Sequence, residues 1–143
     1  SGLANWIGSF SSYLYHMDIY ALILIAVLLI IFLTELNSNT ATVATFTPIL
    51  IIFAIGLEIN PLFFVIPTTI AASCAFMLPI ATPPNAVIFG SGQLDIKDMV
   101  KAGIGLNFLS ALVVSILGII ILNLFFGLQI TSIPDWALNG KVN

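Results

Sequence analysis

The sequence predicts an all-α integral membrane fold in which some helices stop inside the bilayer, and three observations lead there. Of 143 residues, 60% are hydrophobic and 6% are charged, the charges being three lysines and six acidic residues with no arginine. A water-soluble domain carries roughly 25% charged residues, so this chain has too little polar surface to cover a globule in water. The runs 19–34, 36–57, 59–94 and 102–134 contain no charged residue, and the last three are longer than the roughly 18 residues that suggest a span. Inside these runs lie two interruptions, a polar cluster at 34–40 and the prolines Pro79, Pro83 and Pro84.

The same composition excludes several functions. A net charge of −3 cannot supply the basic face of a nucleic-acid binder, so no nucleic-acid partner is expected. With one cysteine, Cys74, and one histidine, His16, the chain has neither a disulfide framework nor a Cys- and His-rich metal site. No constellation of His, Cys and carboxylate that would mark an enzyme is available either. The opening Ser1-Gly2-Leu3 lacks the basic region of a signal peptide, and the sequence reads as a piece of a longer chain.

Taken in order, residues 1–18 place Leu3, Trp6, Ile7, Phe10, Tyr13, Leu14 and Met17 at steps of three and four. That spacing makes one helical face, and the aromatic rings suit an amphipathic helix at the membrane interface. The end of a preceding transmembrane helix is the alternative. Residues 19–57 hold two apolar arms around the polar cluster. The first, 19–33, reaches only about 22 Å at 1.5 Å per residue, short of a hydrocarbon core of about 30 Å. A re-entrant hairpin with its tip inside the bilayer explains this, while two shortened or tilted spans remain open. The second arm is expected over 41–57, after Ser38-Asn39-Thr40.

Residues 60–94 read as a discontinuous transmembrane helix, opening on Asn60-Pro61 and unwinding around Ala81-Thr82-Pro83-Pro84-Asn85. In lipid such a break is tolerated only where it is buried in protein or lines a wet cavity, so it is a functional candidate. Asp95, Lys97, Asp98 and Lys101 read as a solvated loop at 95–101, placed in the cytoplasm by its two lysines. Residues 102–128 form the terminal transmembrane helix, whose Asn107, Ser110, Ser115 and Asn123 suit interhelical or back-bonded hydrogen bonds. Residues 129–143 make an outward-facing tail. His16 and Cys74 read as an interfacial and a packing side chain.

The tip and the break share one property: each ends helices within the bilayer and leaves backbone groups unpaired. Amides after Ser38-Asn39-Thr40 can present donors to an anion. Carbonyls around 34–37, with the oxygens of Thr34 and Asn39, suit a hard cation such as Na⁺. The Thr82-Pro83-Pro84-Asn85 break is expected to offer the same two poles from the other side. Because no membrane-embedded Lys or Arg is available, a bound anion has to rely on dipoles, neutral donors and co-bound cations. That favours cation-coupled transport over a fixed-charge anion pore.

The stretches LTELNSNTAT at 33–42, ASCAFMLPIATPPNA at 72–86 and FGSG at 89–92 resemble the C-terminal repeat of the divalent anion:sodium symporter family, over nearly the whole chain. The resemblance implies two inverted repeats, each with a re-entrant hairpin tipped by Ser-Asn-Thr, in a homodimer that works by an elevator motion. It implies that Ser38, Asn39 and Thr40 hold one substrate carboxylate, with Thr82 and Pro83 beside it. It also implies a Na⁺ site from Thr34 and Asn39 with carbonyls near Asn37 and Ala81. Glu35, Pro84 and Asn85 stand behind these groups, and for Glu35 a direct role and a support role are both open.

On this resemblance the function is Na⁺-coupled symport of a small dicarboxylate of the succinate, malate or fumarate type, with Na⁺ as the co-transported ion and no organic cofactor. The expected location is the lipid bilayer of the plasma membrane, or the inner membrane of a bacterium. These residues would carry about half a binding site, the N-terminal repeat of the same polypeptide supplying the rest. A citrate, sulfate or other anion carrier or exchanger, an anion channel, and a noncatalytic membrane subunit are the alternatives.

Overall fold

The computed structural model describes residues 17–138. The interfacial-helix reading of 1–16 and the end of the tail, 139–143, lie outside these residues. The described chain folds into helices joined by turns and one irregular linker: α1 (Ile19–Thr34), α2 (Asn39–Gly56), α3 (Leu62–Ala71), α4 (Pro83–Gly90), α5 (Ile96–Leu124) and the short α6 (Asp135–Leu138).

Asp18 starts α1, its carboxylate accepting from the Tyr20 amide at 2.8 Å. The buried residues Leu22, Ile23, Ala26, Val27, Ile30, Ile31 and Thr34 follow the helical repeat along one face, which is what drives α1 into the interior. After a turn at 35–38, Ser38 caps α2, its hydroxyl accepting from the Ala41 amide at 3.2 Å. The second arm therefore begins at Asn39, not at Ala41. Ser38 has the side-chain oxygen and extended backbone that an N-cap needs, so Asn39 and Thr40 become the first helical residues.

The end of α2 is a Schellman turn. Ile59 N–H donates to the Ala54 carbonyl at 2.9 Å and Glu58 N–H to the Ile55 carbonyl at 3.1 Å, with buried Ile59 supplying the accompanying apolar contact. Glu58 takes the left-handed position, with φ of 57°, where glycine is the usual residue. Asn60 then opens α3 as expected, its side-chain oxygen accepting from the Leu62 amide at 3.1 Å. Its own amide donates to the Ile130 carbonyl at 2.7 Å, tying the tail to this turn.

The sequence reading of the last two elements needs two corrections. Residues 95–101 are not a loop: Asp95 ends the connection and α5 runs from Ile96 to Leu124, with Asp98 in its first turn. An acidic residue there is favoured by the positive end of the helix dipole, and the four charged side chains stay exposed on the helix surface. The break in the 60–94 helix also starts earlier than the prolines suggest. It spans 72–82, and Pro83 and Pro84 are instead the first residues of α4.

Packing centres on α1, α3 and α5, each of which contacts the other two. The second hairpin arm, α2, leans mainly on α3, so the two arms meet each other less than either meets that helix. Phe63 and Phe64 of α3 are fully buried in this core with Ile23, Val27 and Ile31 of α1 and Ala111 and Leu122 of α5. Phe53 of α2 meets Phe64 edge-on, ring centres 5.7 Å apart. Gly118 lets α5 approach α3, since a Cβ there would lie 2.8 Å from Cγ of Pro67.

Helices α2 and α5 are long and apolar enough to cross a membrane, whereas α1 and α3 are shorter apolar helices. Leu109, Leu112, Ile116 and Ile120 of α5 point outward, giving a continuous apolar surface of the kind that water does not tolerate. Two substitutions test this packing through the thermal midpoint of the purified protein in detergent. Gly118→Leu should lower it, with a cost of about 1–3 kcal/mol from overpacking against a rigid ring. Glu58→Gly should raise it by removing about 1 kcal/mol of left-handed backbone cost.

Candidate functional site

The linker 72–82 is irregular because side chains from three helices have taken its backbone groups. Glu35, just after α1, is only 3% exposed. Its Oε1 accepts from the amides of Phe76 at 2.8 Å and Met77 at 2.9 Å, and its Oε2 from Leu78 at 3.0 Å. The Asn107 side-chain amide of α5 also donates to Oε1, at 2.8 Å, while the Asn107 oxygen accepts a longer bond, 3.3 Å, from Phe76 N–H. α3 closes with i−3 bonds from Ser73 and Cys74 to Ile70 and Ala71, and the amides of 76–78, committed to the carboxylate, cannot resume its ladder.

The linker carbonyls are held from other directions. Asn85 of α4, itself buried, donates through Nδ2 to the carbonyls of Ala75 at 3.0 Å and Leu78 at 3.1 Å. Gly103 of α5 lies directly against the chain: a Cβ there would come within 2.5 Å of the Phe76 carbonyl oxygen and 2.6 Å of the Met77 Cα. Thr34, the last residue of α1, reaches the start of the linker. Its hydroxyl lies 2.9 Å from the Ala72 carbonyl oxygen and 2.7 Å from Oδ1 of Asn39.

That last cluster bears on cation chemistry. Three oxygens, from buried Thr34 and Ala72 and half-buried Asn39, converge with one hydroxyl proton among them. One proton satisfies one acceptor, so the trio is short of positive charge unless the Asn39 amide turns its nitrogen inward. A hard cation taking oxygen ligands fits such a donor set. Asn37 is exposed in the turn and Ala81 is half-buried in the linker. Among the described residues, no hydrogen bond joins either of them to Thr34 or Asn39.

The two helix N-termini near the site are not equivalent. At α2, the Ser38 hydroxyl and carbonyl take the amides of Ala41 and Thr42, leaving the amides of Asn39 and Thr40 without a partner among the described residues. At α4, Pro83 and Pro84 have no N–H to offer. The next two amides, of Asn85 and Ala86, are turned to the Thr82 hydroxyl at 3.4 Å and the Thr82 carbonyl at 3.1 Å. Free amides are therefore left at the tip and not at α4, where proline at the first two helical positions removes them.

A model of the family described as the sodium:sulfate symporter transmembrane region matches residues 1–128. The chain belongs to this family. Relatives of this chain include mouse solute carrier family 13 member 1, 43% identical over 97% of this chain and 23% of that protein. The sodium-dependent dicarboxylate transporter of Staphylococcus saprophyticus is 37% identical over 92% of this chain and 25% of its own length. The rat Na⁺/dicarboxylate cotransporter 3 is 41% identical over the whole chain and 24% of its own. The chain thus spans about a quarter of the length of the curated relatives it matches. These relatives are membrane transporters and not enzymes, and this chain is a helical part of an integral membrane protein.

Among the sequence-predicted residues, Thr34 and Asn39 come together at the start of the linker and Glu35 holds its middle. Asn85 grips the linker from α4, and Thr82 caps α4. Pro83 and Pro84 are exposed at the start of α4, and Ser38, Thr40 and Asn37 are exposed at the tip. The Asn107 reading as an interhelical hydrogen-bonding residue agrees with its bond to Glu35, but its place beside the linker was not foreseen. Gly103 and Asn107, four residues apart in a charge-free run, carry the sequence signal for it, a small and a polar residue on one face. Ser115 differs: its buried hydroxyl has no hydrogen-bond partner among the described residues. Asn85→Leu should leave the Ala75 and Leu78 carbonyls unpaired, costing about 1–3 kcal/mol, read as a lowered thermal midpoint in the full-length protein.

Proposed function

We propose that these residues form one half of the substrate site of a Na⁺-coupled carrier for a small dicarboxylate of the succinate, malate or fumarate type. The observation that carries it is the convergence of the Thr34, Asn39 and Ala72 oxygens beside an α2 N-terminus with two free amides. A cation at the first and an anion at the second lie next to each other in sequence and in space, so each lowers the electrostatic cost of the other. The names of the S. saprophyticus and rat relatives, both sodium/dicarboxylate carriers, support the same pairing.

In this reading Na⁺ binds first to Thr34 and Asn39, with backbone carbonyls near Asn37 and Ala81 completing the shell. Ordering of the tip then lets Ser38, Asn39 and Thr40 hold one carboxylate, with Thr82 and Pro83 along the other wall. The chain is the C-terminal repeat of a homodimeric carrier. Its 19–57 hairpin is re-entrant, and the loaded unit crosses a plasma membrane, the inner membrane in a bacterium, by an elevator motion. The N-terminal repeat of the same polypeptide supplies the rest of the site.

Sulfate is a second candidate cargo, favoured by the description of the matching family. Uptake of labelled succinate into proteoliposomes holding the full-length carrier separates the two: excess unlabelled fumarate should suppress it far more than excess sulfate. Asn39→Ala should raise the Na⁺ concentration for half-maximal uptake by roughly tenfold or more, as expected from losing about 1.5–3 kcal/mol of contact to a charge. Uptake with unchanged Na⁺ dependence would remove Asn39 from the site.

A further inference from the structure

Away from the tip and the linker, a groove of about 370 Å³ lies between α1 and α5. It is lined by Tyr20, Ala21 and Leu24 of α1 and by residues between Leu112 and Ile120 of α5. That stretch of α5 is about 12 Å long at 1.5 Å per residue. Apart from the Tyr20 ring at one end, the lining side chains are aliphatic except for Ser115. Ser115 is 4% exposed, and its hydroxyl has no hydrogen-bond partner among the described residues. A serine in a membrane helix ordinarily turns its hydroxyl to a carbonyl one turn back. Leaving it unpaired in apolar surroundings is costly, so the groove suits an occupant that is apolar along its length and carries one acceptor.

The depth of Ser115 identifies the acceptor. Helices α1 and α5 run antiparallel: Phe32, in the last turn of α1, meets Phe108 of α5 edge-on with ring centres 5.9 Å apart, while the first turns of α1 share the groove with the later α5 residues. Ser115 is seven residues beyond Phe108 and so stands level with Ile25, seven residues before Phe32. Asp18, which caps α1 with an exposed carboxylate, has to stand outside the hydrocarbon. From there Ile25 is about 10 Å along the helix. The headgroup layer takes roughly 5–8 Å of that on each face of a bilayer, which brings Ser115 to the level of the glycerol ester carbonyls. Tyr20 at the mouth sits where an aromatic ring is favoured. Below the esters, one leaflet of hydrocarbon is about 15 Å deep, close to the length of the groove.

We propose that this groove binds one acyl chain of a membrane glycerophospholipid, with the Ser115 hydroxyl donating to the ester carbonyl of that chain. A helix fits less well. About 10 Å across, it would displace roughly 900 Å³ over the same length, more than twice the volume of the groove, and could only send side chains into it. The lipid fills the gap between α1 and α5 whichever anion the carrier moves.

The test uses the full-length protein, purified and delipidated in detergent. The probes are palmitoyl-oleoyl phosphatidylcholine and its diether analogue, which has the same chains and no ester carbonyl. Native mass spectrometry counts the lipids retained per polypeptide. The parent protein should hold one more diester lipid than Ala21→Phe or Ile116→Trp, which fill the groove from its two walls. Ile116 is 54% exposed, so that variant gives the answer if Ala21→Phe does not fold. Ser115→Ala should weaken the extra lipid roughly two- to tenfold, as expected for one lost hydrogen bond, and bring the diester and diether lipids to the same affinity. Equal counts in the parent and in a folded groove-filling variant overturn the proposal and mean that another segment of the polypeptide, or a second copy, covers the groove. A diester preference that survives Ser115→Ala overturns the assigned hydrogen bond and the site built on it.

Discussion

A carboxylate inside an apolar helix bundle needs several N–H donors around it, since the cost of burying it unpaired is larger than the stability of most domains. Glu35 meets that need with three consecutive backbone amides and one side-chain amide. The dependence runs both ways. The linker amides would themselves be unpaired in the membrane region without the carboxylate, and irregular backbone there survives only when protein satisfies it. The course of the linker at 76–78 and the seating of α5 against it depend on this exchange.

Small residues do the complementary work of bringing backbones close enough for such exchanges. Gly103 lets α5 lie on the linker and Gly118 lets it lie on the Pro67 ring, so the same helix is fitted at two levels by the same device. Between those levels Asn107 contributes the polar contact and Ala111 the apolar one. Their spacings of four residues put them on one face, and the opposite face of α5 is left apolar and outward. Glycine, asparagine and alanine at these intervals therefore encode an approach distance as much as a hydrophobicity.

Much of the architecture was legible in the sequence because it depends on length and charge. The apolar runs gave the helices, Asn60 marked a helix start, and the polar cluster at 34–40 marked the turn, although Ser38 starts the second arm two residues before the expected Ala41. The boundaries that were misplaced are those decided by a distant partner. Three prolines within six residues suggested unwinding around them, yet proline is at ease in the first turn of a helix, and the unwinding is set upstream by Glu35, some forty positions away in the chain. Four charges within 95–101 resemble a solvated connection, whereas the exposed first turns of α5 accommodate them. For the candidate site, the tip residues were readable from their types and order. Gly103, Asn107 and the Ala72 carbonyl were not, since nothing local distinguishes a glycine that meets a linker from one that merely thins a helix.

The paired prolines at the head of α4 also shape what that helix can do to a charged neighbour. An ordinary helix start both attracts negative charge and dictates its orientation through the N–H bonds it offers. With Pro83 and Pro84 in the first two places and Thr82 engaging the next two amides, the dipole of α4 remains while its hydrogen-bond grammar is erased. Such an end pulls without pointing. A negative charge facing it would feel the field without being oriented by an N–H bond from the first turn.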